Sequence, residues 1–280
     1  MRVGFHVSIV GSIDKAVDRA VELGCNTFQI FTGNPRQWKP RELTLEEIKV
    51  FMEKVNSNDV KPVFAHMPYL PNLASPKDDV YAKSCETLTS ELEKCSRLEI
   101  PYLVTHLGSH LGAGMRIGFG RIIKAIDKAF KVVDEGVMLL LENTAGTKNS
   151  MGGSFEDVQH IIERLSYPER VGICFDTSHA FAAGYDLRTQ KSVEGIIGKF
   201  DETIGFEKLK LVHLNDSLGD LDSRIDRHEH IGLGKIGEEG FRSVLRSRLG
   251  HMPLILETPK DARRSDRENL KKVKKLVGEI

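Results

Sequence analysis

The stretch VGICFDTSHAF, residues 171–181, joins a run of apolar residues to a carboxylate and an imidazole. The run 171–176 is short, almost wholly apolar and ends in Asp176, which is typical of a buried strand. His179 follows three residues later. Burial of either polar group without a partner is costly. The stretch therefore predicts that Asp176 and His179 have polar partners, or that a cation lies between them.

Similar β-rich runs recur along the whole chain. There are eight: VGFHV (3–7), TFQIF (27–31), PVFAH (62–66), YLVTH (102–106), MLLLE (138–142), VGICFD (171–176), LKLVHL (209–214) and PLILE (253–257). Between most of them the apolar residues have helical spacing, for example at 12–24, 82–99 and 120–136. Alternating strands and helices predict a parallel sheet covered by helices. Eight such units favour an α/β fold of the (β/α)8 TIM-barrel type, with an open doubly wound sheet as the alternative.

The composition is that of an ordinary globular protein. The 280 residues carry 40 basic and 40 acidic side chains, so a nucleic-acid partner must meet a local basic surface. No linker or low-complexity tract interrupts the series, which predicts one domain over residues 1–280. The four cysteines form no CxxC pair, which favours a reducing compartment. Because the chain has neither a signal-peptide core nor a membrane-length apolar run, we expect a cytoplasmic protein that does not enter a membrane.

Imidazole and carboxylate groups collect at and just after the carboxyl ends of the predicted strands, where the active site of such a barrel lies. These nine are His66, His106, Glu142, Asp176, His179, His213, Asp226, His228 and Glu257. Any one of them alone would more often be an ordinary surface or core residue. Six successive strands show the pattern, however, which argues for one shared site.

A group of metal ions accounts for this pattern. Carboxylates packed at apolar strand ends repel each other, and cations remove that repulsion. Neutral imidazole and carboxylate ligands suit zinc, manganese or iron. Nine ligands are too many for one tetrahedral ion, so the sequence predicts a catalytic site of two or three ions with shared carboxylates.

Several segments also resemble, in order and spacing, the endonuclease IV family of AP endonucleases (AP endonuclease family 2). They are HMPYLPNLASP (66–76), THLGSH (105–110), LENTAG (141–146), GICFDTSHAFAAGYD (172–186), HLNDS with SRIDRHEHIGLGKIG (213–237) and LETP (256–259). The resemblance covers essentially the whole chain, and its segment 172–186 is highly specific. It implies a DNA-repair enzyme that hydrolyses the phosphodiester 5′ to an abasic site. The products would carry 3′-OH and 5′-deoxyribose phosphate ends, and blocked 3′ ends would also be trimmed.

The resemblance further implies three zinc ions per chain, with ligands carried over by motif. The ligands of the first ion would be His66, His106 and Glu142. The ligands of the second would be Glu142, Asp176, His213 and Glu257, with Glu142 bridging the two ions. The ligands of the third would be His179, Asp226 and His228. Among these residues we predict catalytic roles for Glu142 and Glu257.

The stretch FTGNPRQW (31–38) follows the second predicted strand and resembles the family's DNA-penetrating loop. The resemblance implies that Arg36, Tyr69 and Leu70 enter the minor groove and fill the gap left by a flipped-out nucleotide. A cation suits the groove, and apolar side chains can replace lost stacking. Without the resemblance, the residues favour Tyr69 and Leu70 as a cap on the barrel. The implied partner is double-stranded DNA with abasic sites or blocked 3′ ends, bound by a monomer.

Other function classes remain open from the residues. A divalent-metal-dependent sugar isomerase or epimerase would use the same strand ends, but it needs fewer ligands and no equivalent of Asp226 and His228. A metal-stabilised nucleic-acid binder without catalysis is the third class. The chain also departs from the family at Pro71, Leu218 and Asp222, where members usually have an aliphatic residue, a basic residue and a glycine. None of these three is a predicted ligand.

The remaining polar residues receive simpler predictions. Four of them are expected to bind substrate phosphates or to orient ligands: Asn72, Ser109, Asn143 and Asn215. Three histidines lack a supporting pattern and are expected at the surface or in loops: His160, His230 and His251.

Overall fold

The computed structural model describes residues 1–38, 41–133 and 136–278, and eight parallel strands form its main sheet. These strands are β1 (Val3–Phe5), β2 (Phe28–Ile30), β3 (Val63–His66), β4 (Tyr102–His106), β5 (Met138–Glu142), β6 (Val171–Asp176), β7 (Leu209–His213) and β10 (Leu254–Leu256). A separate antiparallel pair, β8 (Asp216–Ser217) and β9 (His228–Glu229), lies between β7 and β10 in the chain.

The sheet closes into a barrel. Its strand order is β1-β10-β7-β6-β5-β4-β3-β2. A parallel bridge between His6 and Gln29 joins the two outer strands, and the N–H of Val7 donates to the carbonyl of Gln29 at 2.8 Å. The predicted TIM barrel is therefore confirmed, and the open sheet is excluded.

Helices follow the barrel strands and cover the sheet. They are α1 (Lys15–Leu23), α2 (Leu45–Asn58), α3 (Asp78–Arg97), α4 (Met115–Phe130), α5 (Phe155–Ile162), α6 (Thr177–Ala182), α7 (Gln190–Thr203), α8 (Gly237–Arg246) and α9 (Asp266–Leu276). Short 3-10 helices occupy Pro168–Arg170, Phe206–Lys208 and Arg248–His251. Among the described residues, no helix is both long and apolar enough to cross a bilayer.

The helix predicted at 120–136 begins earlier, at Met115 of α4. Residues 134–135 of that prediction lie outside the described residues. The additional residues of α4 include Gly118, which lies against Met151 and His110. A Cβ on Gly118 would lie 2.7 Å from Sδ of Met151, so the glycine permits a close approach that a larger residue would prevent. Tertiary packing thus outweighs the low helix propensity of glycine.

The barrel interior is packed rather than hollow. One buried apolar cluster inside it is formed by Phe64, Val104, Leu140, Cys174, Leu211 and Ile255. Burial raises the pKa of the Cys174 thiol to about 12, so the thiol stays neutral beneath the strand-end carboxylates. The apolar cluster lies beneath the polar residues at the carboxyl ends of the strands and separates their site from the rest of the barrel interior.

The long segment between β7 and α8 is held by the buried side chain of Asp216. Its carboxylate accepts five backbone N–H groups, from Ser217, Gly232, Gly234, Ile236 and Gly237. Asp222 and Arg224 in this segment have left-handed φ values of 60° and 58°. Aspartate tolerates that conformation better than most residues do. This explains how Asp222 can stand where family members usually have glycine.

Candidate metal centre

Glu142 ends β5, and its carboxylate is fully buried at the centre of the site. One oxygen, Oε2, lies 3.2 Å from Nε2 of His66 and 3.5 Å from Nε2 of His106. The other oxygen, Oε1, lies 3.0 Å from Nδ1 of His213. His66, His106 and His213 end three different strands, so the closed barrel brings them to the two oxygens of one carboxylate. This is the placement required of a carboxylate shared by two ions.

The predicted ligands fall into overlapping groups in which the ligand atoms lie within 4.8 Å of one another. The first group is His66, His106 and Glu142. The second is Glu142, Asp176, His213 and Glu257. The third is Asp176, His179 and His228, and a further group sets Cys174 beside Glu142 and His213. The first two groups coincide with the ligand sets implied by the resemblance.

The third group differs from the implied set in one member. It contains His179 and His228 as expected, but Asp176 is the carboxylate beside them. Asp226 lies on the other side of His179, with Oδ1 3.1 Å from Nε2, and its side chain is half exposed. The role of Asp226 as a ligand therefore stays a prediction.

The buried carboxylates of this site are paired with imidazoles. Burial raises the pKa of Glu142, but His106, His213 and His179 outweigh it and hold that pKa well below its ordinary value. Burial lowers the pKa of His179, but Asp176, Asp226 and Glu142 outweigh it and raise that pKa well above its ordinary value. Burial also lowers the pKa of His213, but the Glu257 and Glu142 carboxylates beside it help to raise that pKa well above its ordinary value. In the protein alone, the neighbouring carboxylates thus favour the protonated forms of His179 and His213, whereas burial lowers the pKa of His106.

Backbone carbonyl groups fix the orientation of three of these imidazoles. The Nδ1–H groups of His66, His179 and His228 donate to the carbonyls of Met67 (2.7 Å), Asn143 (2.9 Å) and Glu257 (3.2 Å). A carbonyl only accepts, so each Nδ1 must carry a proton, and Nε2 is the atom that can bind a cation when the imidazole is neutral. The buried Nε2 of His228 has no hydrogen-bond partner among the described residues. Metal-ligating histidines have this arrangement, so the donor set fits metal ions.

Two asparagines orient the carboxylates in a similar way. Asn215 donates from Nδ2 to Oδ2 of Asp176 at 2.7 Å and accepts the backbone N–H of Glu257 at 2.8 Å. Asn143 accepts the backbone N–H of Asp176 at 2.7 Å. Both contacts agree with the expectation that these residues orient ligands. Asn72 and Ser109 instead bond to each other at 2.9 Å and brace the loops after β3 and β4.

Sequence reasoning missed two buried polar residues, of which the first lies at the site. Gln29 of β2 is fully buried and bonds to both His213 and Glu257. A lone amide in the apolar run TFQIF was its only signal. His230 was expected at the surface or in a loop, and the burial of its side chain makes that description incomplete: it is fully buried and contacts Asp261 at 3.1 Å.

The three predicted DNA-contacting residues lie on the same rim. The backbone N–H of Tyr69 donates to the carbonyl of Pro35 at 3.1 Å, which joins the loop of Arg36 to the loop of Tyr69 and Leu70. Arg36 is exposed, and Tyr69 and Leu70 are 63% and 37% exposed. The DNA-contacting role of Tyr69 and Leu70 and the alternative that they cap the barrel both stay predictions. A cavity of about 840 Å³ extends from Tyr69 to His66 and His228.

The closed barrel and its clustered ligands define the class of the chain, a TIM-barrel protein with a candidate metal centre at its rim. Residues 17–276 match the family described as a xylose isomerase-like TIM barrel. The probable endonuclease 4 of Methanoculleus marisnigri is 55% identical over 99% of both chains. That of Nitrosopumilus maritimus is 49% identical over 99% of this chain and 100% of its own length.

A solved structure agrees with these relatives. The crystal structure of endonuclease IV from Thermus thermophilus has a TM-score of 0.89 and 36% sequence identity, with complete coverage of both chains. The chain therefore belongs to the endonuclease IV family of AP endonucleases, which makes it an enzyme of the nuclease class. The family is metal-dependent, and the clustered imidazoles and carboxylates could bind metal ions.

Proposed function

We propose that this chain repairs DNA by hydrolysing the phosphodiester 5′ to an abasic site with three bound zinc ions. Cleavage leaves 3′-OH and 5′-deoxyribose phosphate ends, and the same site trims blocked 3′ ends. The observation that carries the proposal is the buried Glu142 carboxylate, which belongs both to the group with His66 and His106 and to the group with Asp176, His213 and Glu257, while the group of Asp176, His179 and His228 lies beside them. Family membership supports double-stranded DNA as the substrate. The enzyme acts as a monomer with a single domain over residues 1–280.

The chain would hold the three ions with the nine residues that the sequence singled out. His66, His106 and Glu142 would hold the first, and Glu142, Asp176, His213 and Glu257 the second. His179, Asp226 and His228 would hold the third, with Asp176 next to it. Imidazole and carboxylate ligands without a thiolate suit zinc. When bound, the ions supply Lewis acidity to a phosphate oxygen and to water.

The chain's own residues hold the ligand side chains in position and exclude water from the barrel interior beneath them. Glu142 and Glu257 are the carboxylates with catalytic roles, since both lie in the group at the centre of the rim. The apolar cluster inside the barrel excludes water beneath them. The exposed face of the site is the cavity beside His106, whose side chain is 44% exposed. A phosphodiester can therefore approach only from the rim.

A direct assay tests this function against the alternative of a sugar isomerase or epimerase. The zinc-loaded protein is incubated with a duplex that contains one abasic site, with the same intact duplex, and with aldoses and ketoses. We expect cleavage only of the abasic duplex, at its 5′ side, with a 3′-OH product that a polymerase extends. Conversion of a sugar without cleavage of the abasic duplex would overturn the proposal. Family membership and the third ligand group already argue against that alternative.

Recognition of the lesion depends on Arg36, Tyr69 and Leu70. The chain has no net charge, so the protein as a whole attracts DNA weakly and the rim must supply the affinity. An abasic site has already lost its stacking, so it flips out more readily than an intact nucleotide. The exposed ring of Tyr69 and the side chain of Leu70 would hold the duplex open, and Arg36 would contact its backbone.

We expect the double substitution Tyr69→Ala and Leu70→Ala to weaken binding of abasic duplex at least tenfold, about 1.4 kcal/mol. It should change hydrolysis of a small phosphodiester much less, because that substrate needs no flipping. Binding is measured by fluorescence anisotropy, and bound zinc is measured in the same samples.

The matched control for that variant replaces two exposed apolar residues at the other end of the barrel, Val21→Ala and Val132→Ala. This control should bind abasic duplex as the parent protein does. Equal losses on both substrates in the Tyr69 and Leu70 variant, or loss of its zinc, would assign these residues to the fold or the metal centre.

A further inference from the structure

The side chain of Gln29 makes three hydrogen-bond contacts, two of them with predicted ligands of the candidate metal centre and one with His6. Its Nε2 donates to Oε1 of Glu257 at 2.7 Å and lies 2.9 Å from Nδ1 of His6. Its Oε1 lies 2.9 Å from Nε2 of His213. The side chain is fully buried within β2, a strand that supplies none of the nine predicted ligands. Burial of an amide at such a position is costly unless these bonds are made.

The chemistry of Glu257 fixes which way the amide points. An ionised carboxylate only accepts hydrogen bonds, so the NH₂ group of Gln29 must face Glu257. The amide oxygen then faces His213, whose Nε2 must carry a proton to donate to it. The lone pair of His213 is consequently on Nδ1 whenever this imidazole is neutral.

That Nδ1 atom points at the carboxylates of the second ligand group. It lies 3.0 Å from Oε1 of Glu142, 3.4 Å from Oε2 of Glu257 and 3.9 Å from Oδ2 of Asp176. A neutral His213 with the proton on Nδ1 could not bind a cation there. The amide of Gln29 therefore selects the nitrogen that faces the site.

His213 differs in this respect from His66, His179 and His228. Each of those three donates from Nδ1 to a backbone carbonyl, which no substitution of the accepting residue removes. Among the described residues, the partner of the Nε2 atom of His213 is the side chain of Gln29. The orientation of this one imidazole can therefore be changed by mutation without touching a predicted ligand.

We propose that Gln29 is a positioning residue that fixes the Nε2–H tautomer of His213 and the orientation of Glu257 for one metal ion. The inference rests on the proposed function, because it assumes that the second ligand group binds zinc. Partners of this kind commonly change metal affinity by about 10- to 100-fold. Gln29 should therefore control the affinity of the Glu142, Asp176, His213 and Glu257 group and leave the His66 and His106 group largely unchanged.

The test uses Gln29→Met, which keeps the length of the side chain but removes its donor and acceptor. Zinc affinity is measured by competition with a chromophoric chelator, without DNA or any activity assay. We expect one class of zinc site to weaken by about 10- to 100-fold. The ¹⁵N chemical shifts of His213 should show a protonated Nε2 in the zinc-loaded parent. In zinc-free samples at a pH high enough for the imidazole to be neutral, the Gln29→Met variant should contain more of the Nδ1–H tautomer than the parent does.

Two further variants separate this role from general damage to the barrel. Thr27→Val removes another fully buried polar group from the segment leading into β2, where Thr27 bonds to the carbonyl of Pro62 at 2.5 Å. It should leave zinc affinity unchanged. Gln29→Glu keeps an oxygen opposite His213 but sets its second oxygen against Oε1 of Glu257 in place of the donating NH₂ group. It should therefore retain the Nε2–H tautomer while losing the hydrogen bond that orients Glu257.

Unchanged zinc affinity in Gln29→Met would overturn the inference while leaving the proposed function intact. A parent protein whose zinc-bound His213 lacks the Nε2 proton would overturn it as well, even if Gln29→Met fails to fold. Equal losses of zinc affinity in Thr27→Val and Gln29→Met would have the same consequence. A parent protein that cuts abasic DNA but binds no zinc would overturn the metal centre and this inference together.

Discussion

Glu142→Gln is expected to slow cleavage of abasic duplex at least a thousandfold, a loss on the order of 4 kcal/mol in the barrier. The two oxygens of Glu142 face different imidazoles, His66 and His106 on one side and His213 on the other. An amide keeps one acceptor and turns the other position into a donor. The substitution therefore removes a negative charge, and its NH₂ group repels any N–H group that faces it. Both ligand groups lose a member through a single change.

The control variant for this prediction is Asp226→Asn. Asp226 is half exposed, and its Oδ1 contacts Nε2 of His179. We expect its loss to slow cleavage less than the loss of Glu142. Single-turnover rates are measured on folded protein with its zinc content determined. A near-normal rate in metal-loaded Glu142→Gln would rule out the shared role of this carboxylate.

Much of this site could be predicted because strand ends are local features of a sequence. Apolar runs mark the strands, and a carboxylate or imidazole at the end of such a run stands out, as Glu142 and Asp176 do. The barrel then brings the strand ends together without further information. The first two ligand groups, predicted from motif and strand position, accordingly recur in the structure.

The features of the site that the sequence did not predict depend on contacts between segments that are distant in the chain. Gln29 meets His213 across 184 positions, and only closure of the barrel between β1 and β2 brings them together. His230 is buried because the segments containing Asp261 and Asn269 fold over it. No periodic pattern marks such partners.

The conformation of the segment that contains Asp226 could not be predicted from the sequence either. It depends on the backbone N–H groups gathered by Asp216 and on the left-handed conformation of Asp222. The family usually has glycine at position 222, so the resemblance left the shape of this segment open. In the structure Asp176 lies in one group with His179 and His228, and Asp226 contacts Nε2 of His179.

Removal of metal should abolish cleavage and also lower the free energy of unfolding. We expect elemental analysis of the undenatured protein to find about three ions per chain, mostly zinc, because the nine predicted ligands suit three ions. An ion that binds only the folded protein stabilises it, by about 4 kcal/mol at a free concentration of 1,000 times its Kd. Treatment with a chelator should therefore lower the unfolding midpoint, and added zinc should restore both stability and cleavage. A finding of no ion or one ion would contradict the three-ion centre.

The loss of stability on chelation should grow as the pH rises. Without metal, the imidazoles of His179 and His213 supply positive charge, and their pKa values are raised well above the ordinary value. That contribution is fully present below the unfolded histidine pKa of about 6.5 and is lost as the pH rises through the raised pKa values. Metal binding has the opposite dependence, because it must displace these protons. Urea unfolding with and without chelator should thus differ more at about pH 8 than at about pH 6. A difference that stays constant or shrinks as the pH rises would mean that metal ions and protons do not compete for these two imidazoles.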